Sequence, residues 1–157
     1  MSYPEKVVLK RLSNELKDCR QYLGGDFYLD PDSAHLPITI DMTMDGVRGY
    51  ESEDREIYTH RFAITITNDY GQQKPEVRWK SHIFHPNIMD PDDGGFVCMK
   101  MLNKWTYGMR LFDFIKNIEE MVANPNPEGP FGTDSCMAAA KFFSENKAKF
   151  TVTIRQG

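Results

Sequence analysis

The sequence predicts an α+β fold: an N-terminal helix, a four-stranded antiparallel meander, an irregular loop, a central helix and a C-terminal helix. Near the start, apolar residues recur at three- and four-residue steps, as on one face of a helix. From residue 27 to residue 84 the apolar period changes to two, as in half-buried strands. Because no helix separates these strands, they should pair antiparallel, and a later helix should cover one face of the sheet.

Length and composition fit one domain over residues 1–157, with 40% hydrophobic and 27% charged residues. No apolar run approaches the roughly 20 residues that a membrane-spanning helix needs. The start lacks the apolar core of a secretory signal, and three widely spaced cysteines favour free thiols in a reducing compartment. The expected location is therefore the cytoplasm, and a net charge of -4 gives no reason to expect nucleic acid.

The first helix should run from Pro4 to Leu23, because proline suits the first turn and Gly24-Gly25 can end a helix. Its apolar stripe consists of Val8, Leu12, Leu16, Cys19 and Leu23. The opposite face carries Lys6, Lys10, Arg11 and Lys17. That basic face is either a docking surface or a solvated helix face.

The remaining elements follow the same two periodicities. Strands are expected at Leu36–Met44, Tyr58–Thr67 and Val77–Ser81, with a short fourth strand at His82–Phe84. The central helix should span Leu111–Ala123, because Leu111, Ile115, Ile118 and Val122 form a stripe and Pro125 stops it. The last helix should span Ser135–Lys147. Its inner face should carry Met137, Ala140 and either Phe143 or Phe142.

Between strands and helices lies a stretch whose residues carry chemistry. It contains His85-Pro86-Asn87, an acidic glycine-bearing turn, Cys98, Trp105 and, after the central helix, Pro125-Asn126-Pro127. No single piece is rare, but their order and spacing are hard to meet by chance. The arrangement resembles the catalytic core of the ubiquitin-conjugating enzymes, most strongly over residues 77–131. The predicted order of helices and strands is also the order of that fold.

The resemblance implies an acyltransferase that accepts ubiquitin or a ubiquitin-like protein from an activating enzyme as a thioester on Cys98. It then passes that protein to a lysine amine, usually with a ligase. Asn87 would offer its amide to the oxyanion, and Glu128 would help to orient the acceptor lysine. The other implied roles are loop scaffolding by His85, Pro86 and Trp105, and activating-enzyme contact by Lys6, Lys10 and Arg11. Because a thioester is already activated, no cofactor is expected.

The residues themselves leave other interpretations open. Cys98 follows a turn-forming run, as an accessible nucleophile would, yet a lone cysteine can also be a buried structural residue. Asn87 can cap a turn after proline. His85 acting as a base on Cys98 would make the chain a cysteine hydrolase. The main alternative function is a non-catalytic module of the same fold that binds ubiquitin-like proteins, although inactive relatives lack the cysteine.

Five potential metal ligands are close in sequence: His82, His85, Asp90, Asp92 and Asp93. A calcium loop starting at Asp90 would place Met101 where a glutamate is needed. The two histidines lack further soft ligands at a usable spacing for zinc. No metal is therefore expected.

Three departures from the family pattern bear on partners. Residues 88–97 make the spacer between Asn87 and Cys98 longer than is common. The loops that usually dock ligases read Gly71-Gln72-Gln73-Lys74-Pro75 and Thr106-Tyr107-Gly108. Gly129 stands where many members carry a second acid after Glu128. The expected partners are a ubiquitin-like protein, an activating enzyme and a ligase suited to atypical docking loops.

Overall fold

The computed structural model describes residues 3–100, 102, 105–106 and 108–146. Its elements are α1 (Glu5–Leu23), β1 (Ile38–Ser52), β2 (Arg55–Ile66), β3 (Glu76–Trp79), a 3-10 turn (Pro91–Asp93), α2 (Leu111–Ala123) and α3 (Asp134–Glu145). Over these residues, no helix combines the length and apolar character that crossing a membrane requires. The strands pair antiparallel in the order β1-β2-β3, so the predicted α+β fold class is confirmed.

The first helix forms as predicted. α1 begins after Pro4 and ends at Gly24, which has a φ of 72° and donates its N–H to the carbonyl of Arg20. Only glycine adopts this left-handed conformation without strain, so the glycine fixes where the helix stops. The predicted apolar stripe of α1 is buried throughout and packs against α2 and β1.

The core lies between the inner face of the sheet and α2. Met42, Phe62 and Trp79 stand in register across the three strands, and the rings of Phe62 and Trp79 stack 5.3 Å apart. From the helix side, Phe114 and Ile118 are fully buried. Each such side chain contributes about 1.5–3 kcal/mol when it leaves water. The prediction that the helix Leu111–Ala123 covers the sheet is confirmed.

The predicted fourth strand at His82–Phe84 was wrong, because the described sheet has three strands. The amide of Ile83 donates to the carboxylate of Asp90, and the amide of Phe84 donates to the carbonyl of Tyr50. Because these two amides bond elsewhere, residues 82–84 do not pair with β3. The third strand also ends early, at Trp79, because the amides of Lys80 and Ser81 both donate to the carbonyl of Arg61.

The last helix is rotated relative to its prediction. α3 begins after Thr133, whose hydroxyl accepts the amide of Cys136, and it ends at Glu145. Its buried positions are Cys136, Ala139, Ala140 and Phe143. Met137 is 55% exposed, so its predicted inward orientation was wrong. The helix is oriented by its aromatic contacts, since Phe143 packs edge-on against Tyr50. Lys147 and the tail after it lie outside the described residues.

A buried carboxylate joins three parts of the fold. The Glu15 carboxylate accepts bonds from Arg11 Nε at 2.6 Å, the Tyr70 hydroxyl at 2.7 Å and the Leu111 amide at 2.6 Å. These partners belong to α1, the loop after β2 and the start of α2. The side chain of Glu15 is only 5% exposed, so water cannot replace it as the acceptor. Each of the three donors therefore relies on Glu15 for its hydrogen bond.

We expect Glu15→Ala to lower the free energy of unfolding by about 3 kcal/mol, because it leaves a guanidinium, a hydroxyl and an amide without their shared acceptor. The matched control is Asn14→Ala, an exposed position on the same helix. Urea unfolding of both variants measures the difference. Equal stability of the two variants would show that the Glu15 network contributes nothing net.

Candidate active site

The side chain of Asn87 clasps the segment that follows α2. Its Nδ2 donates to the carbonyl of Asn126 at 3.0 Å, and its Oδ1 accepts the amide of Asn126 at 2.9 Å. Nearby, the amide of Phe131 donates to the carbonyl of Pro86. Asn87 is 1% exposed, so breaking this paired contact would leave buried polar groups unsatisfied. The His85-Pro86-Asn87 turn and residues 126–131 therefore hold each other in place.

His85 fastens the same turn to α2. Its Nδ1 accepts the amide of Asn87 at 3.0 Å, so Nε2 carries the hydrogen and donates to the carbonyl of Met121 at 2.8 Å. Burial lowers the pKa of His85 to about 4. The imidazole is thus neutral, with both nitrogens engaged. It scaffolds the loop and is poorly suited to take a proton from Cys98, which argues against the hydrolase interpretation.

Cys98 lies on a short extended segment beside this turn. Its amide donates to the carbonyl of Asn87 at 2.9 Å, and the amide of Met89 donates to the carbonyl of Phe96 at 2.8 Å. Residues 96–98 therefore pair antiparallel with residues 87–89, and their side chains alternate. Val97 is buried, whereas Cys98 is half-buried and Phe96 is 48% exposed. The thiol thus lies on the outward face of the segment.

The other two cysteines are in different surroundings. Cys19 and Cys136 are both buried and unpaired. Burial, reinforced by the negative charges of Glu15 and Asp18, raises the pKa of Cys19 to about 12. Burial also raises the pKa of Cys136. Because the thiolate is the reactive form, both thiols are suppressed as nucleophiles, and Cys98 is the accessible cysteine of the three.

The long spacer before Cys98 folds on itself. The Asp90 carboxylate accepts the amides of Ile83 and Asp92, and its carbonyl accepts the amides of Asp93 and Gly95. Gly95 has a φ of 67°, and a Cβ there would lie 2.5 Å from the carbonyl oxygen of Trp79. A glycine is therefore needed at this point, where the spacer returns to the edge of β3.

The same turn contains the candidate metal ligands of the sequence. His82, Asp90 and Asp92 bring ligand atoms within 4.8 Å of one another. However, the Asp90 oxygens already accept two backbone amides and contact His82 Nδ1 at 3.0 Å. The hydrogen bond to Asp90 raises the pKa of His82. Turn formation and an ion pair therefore account for the arrangement of these three residues.

Three further predicted site residues, Trp105, Glu128 and Pro86, lie in different surroundings. Trp105 donates from Nε1 to the carbonyl of Gly71 at 3.3 Å and packs edge-on against Phe114, so it braces two loops. Glu128 is exposed just beyond the Asn87 clasp, and its amide donates to the side chain of Asn126. Pro86 is buried within the turn that carries Asn87.

Arg11 differs from Lys6 and Lys10, the other residues predicted to contact the activating enzyme. Lys6 and Lys10 are exposed. Arg11 instead donates to Glu15 and to the carbonyl of Met109 at 2.7 Å, and its guanidinium lies 4.8 Å from the centre of the Tyr70 ring. It is an internal anchor between α1 and the residues that precede α2. The exposed basic surface of α1 therefore includes Lys6 and Lys10 but not Arg11.

Asn126 is the residue that sequence reasoning missed. The sequence pattern marks Asn126 only as part of a helix stop, although its backbone is the partner of the Asn87 side chain. The signal that could have found it is the pair of prolines on either side. Prolines restrict the backbone and donate no hydrogen bond, so the single amide between them is left to bond elsewhere.

The chain matches the family model described as ubiquitin-conjugating enzyme over residues 11–156. It is 32% identical to ubiquitin-conjugating enzyme E2 3 of Arabidopsis thaliana over 93 residues, which are 59% of this chain and 57% of that protein. It is 26% identical to ubiquitin conjugating enzyme E2 B of Dictyostelium discoideum over 110 residues, 70% of each chain. The solved structure of S. cerevisiae Ubc12 has the same fold, with a TM-score of 0.66 at 23% identity over 94% of this chain and 77% of that one.

The neutral state of His85 predicts an acid-sensitive loop. Its pKa is about 4 in the folded chain against 6.5 for an unperturbed histidine, so the unfolded chain binds more protons below pH 6.5. Stability should therefore fall as pH falls from 6.5 towards 4, by about 3 kcal/mol from this residue. His85→Gln, which keeps a donor for Met121, should flatten the slope. The control His35→Gln changes an exposed histidine, and an unchanged slope in both variants would contradict this assignment.

Proposed function

Because the chain belongs to the ubiquitin-conjugating enzyme family, we propose that it carries ubiquitin or a ubiquitin-like protein as a thioester on Cys98 and transfers it to a lysine amine. The observation that carries this proposal is the placement of Cys98. It is the accessible thiol of the three, and it is paired through its backbone with the clasped Asn87 turn. The implied partners are the modifier, an activating enzyme and a ligase.

The chemistry requires two exchanges at one carbonyl carbon. In charging, the Cys98 thiolate attacks the modifier's thioester on the activating enzyme, a new S–C bond forms, and the other thiol leaves. In discharge, a neutral lysine amine attacks the same carbon, the C–S bond breaks, and the amine loses a proton as the isopeptide forms. Neither step consumes ATP or needs a cofactor, so the chain has to supply position and charge stabilisation.

Asn87 has the group that the discharge step needs. Its clasp with Asn126 uses the side-chain oxygen and one hydrogen of Nδ2, whereas an amide nitrogen carries two hydrogens. We assign the second hydrogen to the oxyanion of the tetrahedral intermediate. The clasp then has a purpose beyond loop stability, because it fixes the amide in advance and so avoids reorganisation during the reaction.

We assign Glu128 to the incoming amine. It is exposed on the segment that Asn87 holds, and Gly129 offers no second acid beside it. In this proposal its carboxylate attracts and orients the acceptor lysine. We assign Lys6 and Lys10, which are exposed on α1, to contact with the activating enzyme.

Charging should depend on Cys98 alone. With a modifier, its activating enzyme and ATP, the wild-type chain should form an adduct that a thiol reductant removes. Cys98→Ser should abolish this adduct or convert it into a reductant-resistant oxyester, whereas Cys19→Ser and Cys136→Ser should still form it. A reductant-sensitive adduct that survives in Cys98→Ser would place the thioester elsewhere. A wild-type chain that never charges would favour the non-catalytic binding module.

Asn87→Ala should separate the two steps. We expect discharge to free lysine to slow by about 10²-fold, because one oxyanion donor is lost, with a much smaller effect on charging. The control is His85→Gln, which perturbs the same turn but keeps the Asn87 amide. Single-turnover rates of charging and discharge decide whether Asn87 is an oxyanion donor or a structural residue. Equal loss in both steps for Asn87→Ala, matched by His85→Gln, would reduce Asn87 to a structural residue.

Glu128→Ala should slow discharge less than Asn87→Ala does, with a defect that shrinks at higher pH. The acceptor amine needs less help in losing its proton as the solution approaches the lysine pKa, about 10.4 in the unperturbed side chain. The control is Glu120→Ala, an exposed acid on α2. Discharge rates measured from neutral to alkaline pH provide the comparison, and a pH-independent defect would argue against the orienting role.

A further inference from the structure

A lysine from the loop between β2 and β3 holds the residue that directly follows Cys98. Lys74 Nζ donates to the carbonyl of Met99 at 3.3 Å, and the amide of Leu102 donates to the same carbonyl at 3.2 Å. Lys74 and Met99 are both half-buried, whereas most lysine side chains are exposed. None of the roles assigned above uses this contact.

The loop that carries Lys74 is itself fixed to the rest of the fold. The hydroxyl of Tyr70 donates to the buried Glu15 carboxylate at 2.7 Å, and Trp105 Nε1 donates to the carbonyl of Gly71 at 3.3 Å. The backbone just before Lys74 is therefore tied to α1 and to the residues that precede α2. From this base, the side chain of Lys74 reaches across to the segment of Cys98.

Cys98 is thus held from both directions along the chain. Its own amide donates to the carbonyl of Asn87 at 2.9 Å, and the next carbonyl, that of Met99, accepts from Lys74. Only the backbone torsions of Cys98 and Met99 lie between these two hydrogen bonds. Together the bonds restrict those torsions, and with them the direction in which the thiol leaves the backbone.

This direction matters most in the discharge step. The oxyanion forms on the carbonyl that is bonded to the Cys98 sulfur, and it has to lie within hydrogen-bond distance of Asn87 Nδ2. The clasp with Asn126 fixes the Asn87 amide, so the amide cannot follow a displaced thioester. A displacement of about 1 Å can slow a reaction on the order of 10²-fold. Charging depends less on this donor and should tolerate such a displacement better.

We propose that Lys74 is a positioning residue for discharge, which keeps the thioester on Cys98 within reach of the Asn87 amide by holding the carbonyl of Met99. The inference rests on the proposed function of Cys98 and Asn87. In this role the amine of Lys74 does not touch the reacting atoms, and no bond to it forms or breaks. It acts through the backbone of Met99.

The test compares two substitutions of Lys74 in single-turnover discharge to free lysine over a range of lysine concentrations. Lys74→Met keeps an unbranched side chain but cannot donate, whereas Lys74→Arg keeps both the charge and a donor. For Lys74→Met, we expect the maximal rate to fall by about tenfold, the scale of one charged hydrogen bond. The KM for lysine should stay unchanged, charging should change much less, and Lys74→Arg should restore most of the rate.

A simple effect of charge would give a different result. If Lys74 acted only through its positive charge, it would repel the cationic acceptor, and Lys74→Met would lower KM for lysine. The control is Lys100→Met, which removes an exposed cation two residues after Cys98 and should keep the wild-type maximal rate. The proposal would be overturned if Lys100→Met reproduced the loss, or if Lys74→Arg discharged as slowly as Lys74→Met.

Combining Lys74→Met with Asn87→Ala tests whether the two residues act together. In the absence of the Asn87 amide, a displaced thioester has no donor left to lose, so Lys74→Met should slow discharge little further. A second loss of about tenfold on top of that caused by Asn87→Ala would show that the two residues act independently, and it would contradict the positioning role.

Failure of the proposed function can be told apart from failure of this inference. If Cys98 never charges, hydrogen exchange of the Cys98 and Leu102 amides is measured in the uncharged chain. Faster exchange in Lys74→Met, with wild-type exchange in Lys74→Arg and Lys100→Met, would show that Lys74 positions the segment of Cys98 even where no thioester forms. Unchanged exchange in Lys74→Met would overturn the inference whether or not the chain charges.

Discussion

The paired hydrogen bonds between the Asn87 side chain and the Asn126 backbone are the constraint on which the rest of the site depends. His85 continues this network, since it joins the Asn87 amide to the carbonyl of Met121 near the end of α2. Cys98 joins it through the Asn87 carbonyl. Each bond contributes about 1 kcal/mol net, but the side chains of Asn87 and His85 are buried, so losing one bond leaves a buried polar group unsatisfied. One hydrogen-bond network therefore joins the central helix, the segment of Cys98 and residues 126–131.

The sequence predicted the helices whose ends are determined by nearby residues. The bounds of α2 follow from an apolar stripe and a proline stop, and Gly24 marks the end of α1. The wrong predictions, a fourth strand and an inward Met137, concern residues whose positions depend on partners far away in the sequence. The amides of the supposed fourth strand are taken by Asp90 and Tyr50, and α3 turns Met137 outward because Tyr50 positions Phe143. The Asn87 side chain could be singled out from the motif, but its partner lies 39 residues further along the chain.

The spacer between Asn87 and Cys98, residues 88–97, closes on itself by hydrogen bonds. Asp90 supplies acceptors to the amides inside the turn, so these backbone groups are satisfied within the spacer. The pairing of residues 87–89 with 96–98 is kept on either side. Since the entropic cost of a longer loop rises only logarithmically with its length, a turn that closes on itself in this way adds little to the free energy of folding.

Gly95 limits where the spacer can change. Its left-handed backbone and the approach of the Trp79 carbonyl leave no room for a side chain, so the chain must return to the sheet edge at this residue. Before Gly95, the turn can change in length and charge while the chain still reaches the sheet edge at Gly95. Downstream, any shift would move Phe96 and Cys98 together with the edge of β3. The loop thus divides into residues 88–94, which this contact does not constrain, and residues 95–98, which are fixed against the edge of β3 and carry Cys98.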